Sequence, residues 1–136
     1  MLNQINLPHP APGKAYNALA RPIATMIPSL TLNFSGGSVA VALPAAAVRS
    51  LDAEMQTLLE HLRAASAQTG KKTPRPSSEY RYSGEVFLEV FCNPNLWPSP
   101  FAARVLVTLK TSQVRLSVEV DLNQLREDIQ VFLQAV

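Results

Sequence analysis

Residues 114–136 read VRLSVEVDLNQLREDIQVFLQAV, and within them the apolar spacing changes once. Val114, Leu116, Val118 and Val120 alternate with Arg115, Ser117, Glu119 and Asp121. This period of two places one face of a strand in a core and the other in solvent. From Leu122 the period lengthens. Leu122, Leu125, Ile129, Phe132, Leu133 and Val136 fall on one helical stripe, leaving Arg126, Glu127, Asp128 and Gln130 to water. Asp121, three residues ahead of Gln124, has the form of a capping box. A half-buried strand running straight into an amphipathic helix predicts a sheet layered against helix.

The same succession occurs upstream. Leu30–Phe34 and Val39–Leu43 alternate on either side of Ser35-Gly36-Gly37-Ser38, a hairpin signal because glycine reaches the positive φ that tight turns need. Pro44 ends the second strand. Val48, Leu51, Met55, Leu58, Leu59 and Leu62 then recur at spacings of three and four, predicting a helix from about Ala45 to Ser66. The two hairpin-and-helix blocks match in apolar positions but share almost no identities, so a structural pseudo-repeat is an expectation and no duplication is shown.

Between them, Tyr80–Cys92 reads as one strand apolar on both faces, with Val86, Leu88 and Val90 on one side and Phe87 and Phe91 on the other. Ala103–Leu109 reads as another, with Val105, Val107 and Leu109 inward. The resulting order ββαβββα predicts an α+β two-layer sandwich, mainly an antiparallel five-stranded sheet with two helices on one face. Parallel pairing is disfavoured, because only one helix lies between strands to serve as a crossover.

Eleven prolines, all between periodic segments, mark the boundaries. Residues 1–26 hold no acidic side chain, two basic ones (Lys14 and Arg21) and three prolines in the first dozen positions. They read as a proline-rich arm, within which Tyr16, Leu19 and Ile23 are spaced to dock as a short helix. Residues 27–136 read as a single domain. Its interruption at 69–79, TGKKTPRPSSE, has no aliphatic residue and is expected to cross the surface as a mobile basic loop.

The composition of the 136 residues, 47% hydrophobic and 16% charged, excludes wholesale disorder. No apolar run approaches the ~20 residues of a membrane span. One cysteine, Cys92, precludes an internal disulfide, and the first 28 residues lack a signal-peptide pattern, so a cytoplasmic location is expected. A net charge of +2 points to no class of partner.

Groups for chemistry are sparse. His9 and His61 have no ligand partner at helical spacing, so neither a metal nor a cofactor is expected. Cys92 has no base that the sequence can place beside it. Glu85, Glu89 and Glu119 form the nearest thing to a carboxylate cluster, and pairing with Arg104 and Arg115 accounts for them more cheaply. Phosphate-cradling glycine motifs and a nucleophile elbow are absent from the sequence. No catalytic set emerges.

Two surfaces remain. Phe87 and Phe91 on an open strand face, with Leu96, Trp97 and Phe101 on the proline-stiffened loop 93–101, are candidate protein-interaction residues. Trp97 has the alternative role of capping the open end of the sheet. These residues lead to the expectation of a non-enzymatic protein-interaction or assembly module that associates with itself as a homodimer. The alternative is a single-stranded nucleic-acid-binding module, with Lys71, Lys72, Arg75 and Arg81 following phosphates and Tyr80 and Tyr82 stacking on bases. Arg81–Phe91 resembles in outline the aromatic strand of the RNA-recognition motif. It departs from that motif because Glu85 and Glu89 flank the rings, and because ββαβββα is not the family's βαββαβ order.

Overall fold

Ser35 and Gly36 make the first chain reversal, and Gly36 takes φ +88°, a conformation that costs glycine little. They join β1 (Ser29–Phe34) to β2 (Gly37–Ala42), antiparallel with Phe34 opposite Gly37. A bond from Leu43 N to Pro28 O at 3.1 Å closes the open end. The computed structural model describes residues 28–136; the proposed arm at 1–26, with His9, Tyr16, Leu19 and Ile23, lies outside them.

Helix α1 (Ala45–Ala67) follows Pro44, whose carbonyl accepts from Ala47 N and Val48 N. Then come β3 (Ser78–Ser83), β4 (Phe87–Cys92), a 3₁₀ turn (Pro94–Leu96), β5 (Arg104–Lys110), β6 (Arg115–Asp121) and α2 (Leu122–Ala135). Strands β3, β4, β5 and β6 form an antiparallel meander in sequence order, while β1 and β2 form a separate two-stranded sheet.

The α+β class is as the sequence indicated, but the single five-stranded sheet is not. Among the described residues there are six strands in two sheets, in the order ββαββββα. The stretch read as one strand, Tyr80–Cys92, is a hairpin: Ser83 pairs with Phe87, and Gly84 N bonds Val86 O across the turn. A Cβ on Gly84 would fall on the ring and hydroxyl of Tyr82, so a larger residue at that corner would have to displace the ring. The apolar alternation of the sequence hides the reversal because Tyr82 and Val86, on either side of it, both pack on the same core. The basic loop also ends earlier than expected, since Ser78 and Glu79 already belong to β3.

One core unites these elements. Leu88, Val90, Val105, Val107 and Val120 on the inner face of the large sheet pack with Leu51, Met55 and Leu58 of α1 and Leu125 and Ile129 of α2. Leu30, Leu32 and Val41 of the hairpin complete it. Burying each such side chain stabilises the fold by ~1.5–3 kcal/mol before the entropy of ordering is subtracted. Polar ties fix the layers: Ser78 Oγ donates to Glu54 Oε2 at 2.8 Å, and the Tyr80 hydroxyl donates to Ala47 O at 2.7 Å.

The start of α2 differs from the expected capping box. Asp121 makes no side-chain cap bond and instead pairs with Arg104 Nε at 3.3 Å, its neighbour across the β5–β6 ladder. Gln124 Nε2 donates to Asp128 Oδ1 at 3.0 Å. Asp128 itself, expected in water, is only 6% exposed, because it sits over the edge of β1 and receives hydrogen bonds from Asn33.

Candidate functional site

Alternation along the meander separates its residues into two faces, and the outer one carries the sequence candidates Phe87, Phe91 and Arg81. Three cross-strand rows define it. The first is Glu79, Phe91, Leu106 and Glu119; the second is Arg81, Glu89, Thr108 and Ser117; the third is Ser83, Phe87, Lys110 and Arg115. Arg104 and Asp121 extend the surface beyond the first row. Both helices contribute their buried residues to the core on the other side of the sheet.

Phe87 and Phe91 are therefore placed on the outer face, half-buried by their neighbours. Lys110 Nζ lies 4.6 Å from the centre of the Phe87 ring, a cation–π contact. Leu106, which the sequence candidates omitted, is 42% exposed directly opposite Phe91. The signal was present, since Leu106 shares its parity with Arg104, Thr108 and Lys110. At the centre, Arg81 Nε bonds Glu89 Oε2 at 2.7 Å, and Arg81 Nη2 lies 3.2 Å from Glu79 Oε1. The hydrogen bond to Glu89 and the two carboxylate charges hold the Arg81 guanidinium still more firmly protonated.

The remaining interaction candidates lie elsewhere. Leu96 and Phe101 are 71% and 86% exposed, whereas Trp97 is half-buried and packs on the core. Trp97 sits near the Cys92 thiol, which burial pushes up to about 11 while the indole opposes that rise. Such a thiol is protonated at neutral pH and is a poor nucleophile. Between Leu96, Trp97, Pro94, Ala65 and Lys72 runs a groove of about 500 Å³.

The six nucleic-acid candidates are not brought together on one face. Arg81 is on the outer face, bound to carboxylates, while Tyr80 and Tyr82 belong to the inner face. Burial, followed by the Tyr82 charge, raises the Tyr80 phenol above its usual range, and its hydroxyl is held by α1. Lys72 Nζ donates to Ala65 O and Gln68 O, both at 2.7 Å, satisfying carbonyls at the C-terminus of α1. Arg75 exchanges two backbone bonds with Asn95, N to Oδ1 at 2.8 Å and O from Nδ2 at 2.7 Å. Lys71 stays exposed. The basic segment is thus tied to the helix end and to the tryptophan loop.

Glu85 falls in the β3–β4 turn, away from Glu89, so the carboxylate cluster read from the sequence does not form. His61 stands half-exposed on α1. Among the described residues no group of three or more His, Cys, Asp or Glu is placed to hold a metal ion, and no helix is long and apolar enough to cross a membrane. No family model, no curated protein and no solved structure matches the chain.

Proposed function

We propose that the chain is a non-enzymatic protein-interaction module that binds another protein, or a second copy of itself, through the outer face of the β3–β6 sheet. One observation carries this reading: Phe87, Phe91 and Leu106 lie together on a face that no described element covers. Apolar surface gathered in this way gains free energy when water is removed from it, and a rim of charged side chains sets which partner fits. Several polar and titratable side chains support the same reading, because they are engaged in structural bonds. Tyr80, Ser78, Asp128, Lys72 and Asn95 each satisfy another part of the fold.

The test is sedimentation velocity of the full chain across a wide concentration range, compared with the triple variant Phe87→Ser, Phe91→Ser, Leu106→Ser. Association that is present in the natural chain and lost in the variant, with the circular dichroism spectrum unchanged, is the expected result. Association that survives all three substitutions would move the interface away from this sheet.

A further inference from the structure

Charge on the outer sheet face is sorted along the strands. At the end carrying the first row, Glu79, Glu119 and Asp121 outnumber Arg104, leaving that end acidic. In the middle row Arg81 pairs with Glu89 and also reaches Glu79 of the first row, so the acidic end rests chiefly on Glu119 and Asp121. At the end carrying the third row, Lys110 and Arg115 stand without a carboxylate in their row, and the exposed Glu85 of the adjoining β3–β4 turn offsets one of the two positive charges. The face as a whole is neutral but polarised, acidic at one end and basic at the other, with Phe91 and Leu106 near the first end and Phe87 at the second.

Resting on the reading of this face as an interaction surface, we propose that its partner is a second copy of the chain. The two sheets pack face to face about a twofold axis that crosses the strands at the Arg81–Glu89–Thr108–Ser117 row, where Arg81 and Glu89 meet their own copies as an ion pair of no net charge, so that the charges at the two ends decide the rotation. That axis exchanges the two ends, so the Glu119 and Asp121 end of each copy lies on the Lys110 and Arg115 end of the other. Phe91 of one copy then meets Phe87 of the second, and Leu106 meets the aliphatic stem of Lys110. Both contacts are made twice, as an isologous interface requires. Aligned sheets pack ~10 Å apart, close enough for their side chains to interdigitate.

Opposed rotations fail on the same charges. A twofold axis parallel to the strands would set acidic end on acidic end and basic end on basic end, and like charges brought together this way are penalised. A foreign partner is not required to explain the pattern, since the surface already carries its own complement. Because the charged side chains sit at the rim, the arrangement is fixed by them while the apolar groups supply most of the free energy.

The experiment uses two charge-reversed full-length variants, Lys110→Glu with Arg115→Glu, and Glu119→Lys with Asp121→Lys. Each alone is expected to be monomeric or to self-associate at least roughly tenfold more weakly than the natural chain. Mixed in equal amounts they are expected to form a heterodimer, because the intact acidic end of the first meets the intact basic end of the second and the reversed ends also attract. Light scattering and sedimentation read the mass. Rescue by mixing also guards against misfolding, since an unfolded variant does not restore a dimer. The pairing geometry is overturned if the mixture stays monomeric while the Phe87, Phe91, Leu106 triple variant abolishes association of the natural chain; the interaction face then survives in another arrangement. A natural chain that stays monomeric at all concentrations overturns the second copy as partner.

Discussion

The backbone N–H of Asn33 donates to Asp128 Oδ2 at 2.8 Å, and its side-chain amide donates to Oδ1 at 2.9 Å. In the β1–β2 ladder the Pro28–Leu43 bond sets the alternation, so Ser29, Thr31 and Asn33 turn their backbone groups away from β2. Where another strand would otherwise add to that edge, α2 lies instead and supplies a carboxylate. The hairpin is thereby fastened to the domain by a helix side chain, and the small sheet remains separate from the large one.

Asp128→Ala leaves two donors of Asn33 without their acceptor in a part-buried site, and an orphaned donor costs about 1–3 kcal/mol. The expected result is an unfolding free energy lower by that amount, read as a reduced urea midpoint with an unchanged m-value. A loss below about 0.5 kcal/mol would mean that water replaces the carboxylate.

Cys92 makes stability depend on alkaline pH. Its thiol ionises near 9.0 when unfolded, while burial holds it protonated to about 11 in the native state. Between those values the unfolded chain has released a proton that the folded chain retains, so the contribution is complete below pH 9 and is lost as pH rises towards 11. At ~1.4 kcal/mol per pH unit, the loss amounts to about 2–3 kcal/mol. Tyr80, also raised by burial, adds to the decline above pH 10. Urea denaturation at pH 8 and pH 10.5 measures the slope, which Cys92→Ala should flatten even though it lowers stability at pH 8. A slope unaltered by that substitution would place the titrating group elsewhere.

Leu88→Ala and Phe101→Ser should differ sharply. Leu88 is fully buried in β4 and its truncation opens a cavity worth about 2–5 kcal/mol, whereas exposed Phe101 should change stability by less than about 0.5 kcal/mol. Thermal denaturation of the two variants side by side provides the check. Comparable losses would show that Phe101 has a packing partner.

Trp97 and Leu96 are neighbours with opposite expectations. Trp97 packs on the core beside Cys92, so Trp97→Ala should cost about 2 kcal/mol or more, while Leu96→Ser should be close to neutral. Because Trp97 is the only tryptophan, its emission in the native chain should be blue-shifted and should move to the red on unfolding. Emission at the solvent-exposed wavelength in the folded chain would contradict the packed position.

Most of the local structure was legible in the sequence, because a strand or helix announces itself through side-chain spacing within one segment. Arg115–Asp121 and the stripe from Leu122 to Phe132 appear in the structure as β6 and α2, and the stripe from Val48 to Leu62 as α1, whereas Val114, read as the first inward residue of the strand, lies just outside it and is exposed. The outward orientation of Phe87 and Phe91 was legible for the same reason: alternation in a strand is set by backbone geometry. What depended on residues distant in sequence was not. The burial of Asp128 turns on the edge of a strand 95 residues away, and the loss of the Asp121 cap turns on Arg104 across a ladder. Spacing carries no record of such partners, since a polar side chain on a helix looks the same in sequence whether it faces water or an unpaired backbone amide. The grouping of Phe87, Phe91 and Leu106, and the separation of acidic from basic ends, likewise arise from strand register, which only the folded chain decides.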